Sequence, residues 1–173
     1  ISLNKVTSNE NNEPPTIVDA AEPQINVYPT SKVEIATENN SQEELTETLS
    51  VNATSTDGGT LSFIWQEKNP DNTWQKFEPI TTTTDSDGIE SSIKVTVNKG
   101  QSRTFKCIIT NTNNSVNGNK TATIETNEVT VAYVEGALTS ITAQYTGESE
   151  TFGSRPYSSV KVTETYTSGS KTT

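Results

Sequence analysis

The sequence contains no histidine, no methionine and a single cysteine in 173 residues. Without histidine, the side chain that most readily moves protons near neutral pH is missing, and with it the usual base for a serine or cysteine nucleophile. Cys107 has no partner for an internal disulfide, so the fold must stand on packing, and a small buried hydrophobe is the expected role of this residue. Aromatic residues make up only 6% and all hydrophobic residues 29%, so any core is thin. Few stretches carry helical periodicity, no apolar run approaches the length of a membrane-spanning helix, and nothing resembles a signal peptide. With no Met and a first residue Ile1, a fragment or processed product is expected. Basic residues are also scarce: 12 Lys and Arg against 22 Asp and Glu give a formal net charge of −10. Nucleic acids and anionic membranes need clustered Lys and Arg, so neither is an expected partner, and membrane insertion is not expected either. An acidic surface that keeps a protein soluble is the plainer meaning. No Gly-rich phosphate loop and no metal-ligand cluster is found, and the carboxylate pairs fall in predicted turns and on exposed strand faces. The expectation is a protein that is not an enzyme and needs no cofactor.

What is abundant is Thr, Ser and Asn, about two residues in five. Thr favours strands, while Ser and Asn favour turns. Thin cores and such a composition suit two layers of short strands, each burying alternate residues. Residues 1–23 read as an extended acidic linker, polar from Ser8 and ending its polar run in Pro14-Pro15. From Gln24 short alternating runs begin: Ile25 and Val27, then Val33 and Ile35, around Pro29, as in an edge strand that proline interrupts. Leu45, Leu49, Val51 and Ala53 lead to the turn Asp57-Gly58-Gly59. Leu61, Phe63 and Trp65 alternate with polar or outward neighbours, Asn69-Pro70-Asp71-Asn72 turns the chain, and Trp74 to Phe77 starts a short strand. Thr81 to Gly88 reads as a polar connection. Ile93, Val95 and Val97 follow, then Phe105, Cys107 and Ile109, with Asn117-Gly118 as a favoured hairpin dipeptide. The last strand carries Ala122 and Ile124, then Val129, Val131 and Tyr133. Its inward parity switches between Ile124 and Val129, which predicts a bulge near Thr126-Asn127. Seven or eight strands over residues 24–135 fit a sandwich. Residues 138–173 form a second, shorter unit: Ile141, Ala143 and Tyr145, a Gly-rich turn, then Val160, Val162 and Tyr166, closed by Ser168-Gly169-Ser170. It is too short to enclose a core of its own.

Trp65 and the Phe105-Lys106-Cys107 motif, in this order between regular turns, resemble the immunoglobulin-like domains repeated in bacterial and bacteriophage proteins. The resemblance covers residues 24–135. It implies an all-β, immunoglobulin-like antiparallel β-sandwich, with Trp65 as the central tryptophan of the third strand and Phe105-x-Cys107 in place of Tyr-x-Cys on the sixth. Phe105 lacks the corner hydroxyl, and Val51 or Leu49 stands near the place of the absent partner cysteine. Losing that disulfide removes about 2–4 kcal/mol of constraint on the unfolded chain. Residues 138–173, with Leu138 to Ala143 and the Val160-x-Val162, Tyr166, Gly169-Ser170 pattern, resemble the start of a second such repeat, to be completed by further chain or by another subunit.

Three weaker site candidates remain. Asp85, Asp87 and Glu90 are a possible calcium cluster, although the spacing departs from an EF-hand loop and an ordinary acidic turn explains them as well. Trp74, beside Tyr28 or Phe77, is a candidate for stacking on a sugar ring or for covering the sheet. A Lys–Asn cross-link would need Lys32 or Lys94 near a strand asparagine such as Asn127. The four sequons at Asn39, Asn52, Asn113 and Asn119 arise readily in so Asn- and Thr-rich a chain. The functions these features admit are a structural or display module of an extracellular bacterial surface protein, with adhesion as a further role; a virion component such as a capsid decoration, head-fibre or tail protein; and a carbohydrate-binding accessory module. The expected partners are neighbouring subunits, a host surface protein or a glycan, and the expected location is a bacterial cell surface or virion surface.

Overall fold

Every long stretch in which apolar residues recur at alternate positions is a strand in the computed structural model, which describes residues 15–35, 43–145, 160–166 and 169–172. No helix occurs among the described residues. The strands are β1 (Gln24–Val27), β2 (Lys32–Ile35), β3 (Glu44–Thr54), β4 (Thr60–Lys68), β5 (Trp74–Lys76), β6 (Thr81–Asp85), β7 (Gly88–Asn98), β8 (Gln101–Thr112), β9 (Thr121–Glu125), β10 (Val129–Val134), β11 (Leu138–Tyr145), β12 (Val160–Tyr166) and β13 (Gly169–Thr172). One sheet has the order β1-β3-β7-β6 and a second the order β2-β10-β8-β4-β5, with β9 paired to the far half of β8. Together they make an all-β sandwich.

The core between them is built from one face of each long strand. Leu49, Val51 and Ala53 of β3 and Ile93, Val95 and Val97 of β7 face Trp65 of β4, Phe105, Cys107 and Ile109 of β8, and Val129, Val131 and Tyr133 of β10, all of them buried. Apart from the buried Asn52 and Ala132, their sequence neighbours point outward, and there Thr does a second job. Thr46 and Thr96, Thr104 and Thr130, and Thr110 and Thr123 join hydroxyls across neighbouring strands at 2.9–3.1 Å. Such pairs tie the outer faces of a sheet with little apolar area to spare.

Three expectations are corrected by this arrangement. The runs around Pro29 are two strands in different sheets: β1 pairs antiparallel with β3, and β2 pairs parallel with β10. Pro29, buried at the crossing, interrupts the ladder where the chain changes sheets. Thr81 to Asp85 is a strand, pairing with β7 through the two-residue turn Ser86-Asp87. All its side chains are exposed, so no apolar period marks it. Gly169–Thr172 is likewise a strand, the third of a small antiparallel sheet β11-β12-β13, because the alternation of β12 provides a ladder for it. The Gly-rich segment between Tyr145 and Val160, and residues 1–14, lie outside the described residues.

The expected bulge lies where β9 gives way to β10. β9 pairs with Ile108–Thr112 and β10 with Gln101–Phe105, leaving Cys107 opposite the break. Thr126 closes the gap: its N–H donates to Cys107 O at 2.9 Å and its hydroxyl accepts from Cys107 N at 3.0 Å. Backbone groups that the bulge would strand are thereby satisfied.

The strand order also sets where the chain enters and leaves. Gln24 lies opposite Thr54, and Thr60 opposite Thr112, so β1 starts at the end that holds the loops 55–59 and 113–120. Tyr133 lies opposite Gln101, at the other end. The chain therefore enters the sandwich at one pole and leaves it at the opposite one.

Candidate functional site

The entry pole is the most elaborate polar structure of the sandwich, and its centre is Asp57. The turn that follows β3 brings Asp57 beneath the chain segment preceding β1. One carboxylate oxygen accepts from Ala21 N at 2.9 Å, and the other from the Asn111 amide at 2.8 Å, Gly59 N at 3.0 Å and the Ser55 hydroxyl at 2.8 Å. These donors, led by the Ala21 N–H and the Asn111 amide, hold its carboxyl well below the usual carboxylate range. Asn111 is fully buried and its amide also donates to Ala21 O at 2.9 Å. Gly59 is required by this packing, since a Cβ there would overlap the Asn111 side chain.

Residues 16–21 continue the attachment along the loop between β8 and β9. Asn117 is the clamp: its side-chain oxygen accepts from Val18 N at 2.7 Å and its amide donates to Thr16 O at 3.0 Å. Gly118 N donates to Val18 O at 2.8 Å, Asn119 N to Asp19 Oδ1 at 2.7 Å, and Ala20 N to Asn119 O at 2.8 Å. The end of the expected linker is thus a strap docked on the entry pole. Asn117-Gly118 does sit between antiparallel strands, but in a loop of eight residues, 113–120, widened to receive that strap.

Trp65, Phe105, Cys107 and Val51, on which the expected resemblance rests, are all completely buried in the core. Trp65 lies directly across the ladder from Cys107, and its indole N–H donates to the Ser91 hydroxyl at 3.0 Å. Burial pushes the Cys107 thiol up to about 12. Because the thiolate is the reactive form, Cys107 is expected not to react with a thiol reagent at pH 8 until denaturant unfolds the sandwich. Stoichiometric labelling of the native chain would contradict this placement.

Trp74 is half-buried on the outer face of the second sheet, with different neighbours from those expected. Lys106 Nζ lies 4.7 Å and Lys68 Nζ 5.5 Å from its ring centre. Those ammonium groups are held in turn by Glu125 and Glu128. Phe77, on the other face, meets Phe105 edge-on at 5.2 Å, and Tyr28 is exposed on the β1–β2 crossing. The alternation of strand faces separates Trp74 from Phe77, and a sugar stacking on the indole would have to displace two cations.

Asp85 spends a carboxylate oxygen on Asp87 N at 2.8 Å, as an aspartate opening a tight turn does. Glu90 lies within β7, opposite Asn52 and Thr83. No group of three potential ligands in metal-binding arrangement occurs among the described residues. Asn127 is exposed and its amide donates to Glu128 O at 3.4 Å, while Lys94 faces solvent on the other sheet and Lys32 lies opposite Val131. The strap was not expected from the sequence, because its bonds to the 117–119 loop span about a hundred residues; the density of Asn between positions 111 and 119 is the one local signal that could have marked this loop.

Neither a protein-family model nor a curated protein matches this sequence.

Proposed function

We propose that the chain is a non-catalytic, immunoglobulin-like spacer or display module of an extracellular bacterial protein assembled from such units in series. The observation that carries this reading is the polar threading of the sandwich: entry under the strap at one end, exit from β10 at the other, and a further sheet beginning at Leu138, four residues after β10 ends. Modules threaded in this way add length with every repeat, and need no active site to project whatever lies beyond them. Strand order supports the immunoglobulin-like part, since such sandwiches set their first, second, fifth and fourth strands against the third, sixth and seventh. Counting β1 with β2 as a first strand split between the sheets, and β9 with β10 as the last, the two sheets here follow that division, with β5 added at one edge.

A spacer of this kind carries load between its poles. β2, reached from the entry side, runs parallel to β10, which leads to the exit, in the register Lys32–Val131 to Ile35–Val134. Tension along the chain draws these two strands in opposite directions, so their hydrogen bonds are sheared together rather than opened one by one. Single-molecule stretching of the chain between its ends should give a discrete unfolding event for the sandwich. Val33→Pro, at an exposed position of β2, should lower the peak force, and Thr83→Pro, at an exposed position of β6, should leave it nearly unchanged. Extension without a resolvable force peak, or equal effects of the two prolines, would remove the support for a load-bearing module.

A further inference from the structure

We propose that Asn117-Gly118 is a self-deamidation site that the docked strap keeps silent, and that its conversion releases the strap from the entry pole. This goes beyond the spacer reading and rests on the strap geometry alone.

An asparagine followed by glycine is chemically labile. The glycine backbone nitrogen, after giving its proton to solvent base, attacks Cγ of the preceding side chain. A C–N bond forms, the side-chain nitrogen leaves as ammonia, and a five-membered imide results. Water then opens the ring at either carbonyl, giving aspartate or its isomer with the main chain routed through Cβ. The balance is one amide and one water in, one acid and one ammonia out, without oxidant or metal. Glycine favours the attack because no Cβ crowds its nitrogen.

At this loop both reacting groups are hydrogen-bonded to the strap. The attacking nitrogen, of Gly118, has its hydrogen committed to Val18 O at 2.8 Å. The amide under attack, of Asn117, is fixed at both ends, by Val18 N at 2.7 Å and Thr16 O at 3.0 Å. Gly118 is also needed for the docking itself, since a Cβ there would overlap Asp19 and Ile17 of the strap. The residue that permits the close approach is therefore the one that makes the dipeptide labile. Apolar burial adds little to the latch, for Ile17 and Val18 are 75% and 51% exposed and only the small Ala20 is buried. It is held by hydrogen bonds and can open without disturbing the core.

Conversion makes the opening one-way. Aspartate at position 117 still accepts from Val18 N, but it has no donor for Thr16 O and adds a negative charge close to Asp19, whose carboxylate is held by Asn119 N. The isomer also lengthens the main chain by one carbon between Asn117 and Gly118, which moves Gly118 N away from Val18 O. The strap, and whatever precedes it, would then leave the pole while the sandwich stays folded.

The test uses the full chain incubated in mildly alkaline buffer, with intact mass and peptide mapping at Asn117 as readouts. Intrinsic tryptophan fluorescence, from Trp65 and Trp74 together, checks that the sandwich remains folded. The native chain should deamidate at this site at least about tenfold more slowly than the chain in urea. Val18→Pro, which removes the donor to Asn117, and Asp19→Ala, which removes the acceptor for Asn119 N, should each recover most of that difference. Asn117→Asp should raise hydrogen exchange of the Gly118 and Ala20 amides by a similar factor while Ile109 and Val131 stay protected. Equal rates in native and urea-denatured chain would overturn the protection. So would rates in both strap variants equal to that of the native chain. Unchanged exchange in Asn117→Asp would overturn the release.

Discussion

Trp65→Ala is expected to cost about 3–5 kcal/mol of stability, the range for emptying a buried tryptophan site. Small domains have about 5–15 kcal/mol in all, so this variant should be partly unfolded at 37 °C. The reason for placing so large an effect here is the thinness of the core. Trp65 is the largest fully buried side chain among the described residues, lies directly across the ladder from Cys107, and reaches across to the first sheet through its bond to Ser91. Trp65→Phe separates the two contributions. It keeps much of the volume but leaves the Ser91 hydroxyl, 0% exposed, without its partner. An unsatisfied buried hydroxyl costs about 1–3 kcal/mol, and adding Ser91→Ala to Trp65→Phe should restore part of it. Urea unfolding followed by far-ultraviolet circular dichroism measures all three. A loss under about 1 kcal/mol in Trp65→Ala would mean that the sheets are held by something other than this contact.

That weight on one residue was legible in the sequence, and for a physical reason. A sandwich strand exposes its buried set as a period of two, and Leu61 with Trp65, Phe105 with Cys107 and Ile109, and Ile93 with Val95 and Val97 all display it. The bulge was legible too, because an inserted residue must shift the parity between Ile124 and Val129. Features without an apolar period were not legible. β6 is Thr-Thr-Thr-Thr-Asp with every side chain exposed, so its strand character comes only from the ladder that β7 offers. The change of sheet at Pro29 was hidden because alternation on both sides looks the same whichever sheet receives it. At the entry pole, Asp57 read as part of a turn, which it is. Its four donors come from segments 2 to 54 residues away, and a carboxylate's neighbours in space leave no mark on its neighbours in sequence. Trp74 shows the same limit in another form: an exposed-looking aromatic was visible, but not the two ammonium groups that Lys68 and Lys106 bring to it from β4 and β8.

The second large effect belongs to Arg103, on the opposite rim of the core from the strap. Its Nε and Nη2 donate to the two oxygens of Glu67 at 2.7 and 2.8 Å, and Nη1 donates to Thr96 O at 2.8 Å. The guanidinium also lies 5.3 Å from the Phe77 ring and 5.4 Å from the Phe105 ring. One planar group therefore joins β8 to β4 and β7 and covers the aromatic edge of the core. Arg103→Ala should cost about 2 kcal/mol, below the 3–5 kcal/mol of a fully buried pair because both side chains keep some solvent contact. Arg103→Lys should recover little of it, since an ammonium cannot make the bidentate bond or lie flat on the rings. The pH dependence distinguishes this pair from simple packing. Hydrogen bonds from Arg103 hold the Glu67 carboxyl below its ordinary value of 4.5. A lowered folded-state pKa means that the extra stability is present in full above that ordinary value and is lost as pH falls through the folded one. The gap in unfolding free energy between the native chain and Arg103→Ala should therefore be constant from pH 7 to about 5.5 and narrow progressively in stronger acid. The part that remains when Glu67 is protonated measures the bond to Thr96 O together with the contact of the guanidinium with Phe77 and Phe105. A gap that does not change with pH would show that Arg103 acts through Thr96 O and those rings, and that its bond to Glu67 contributes nothing to stability.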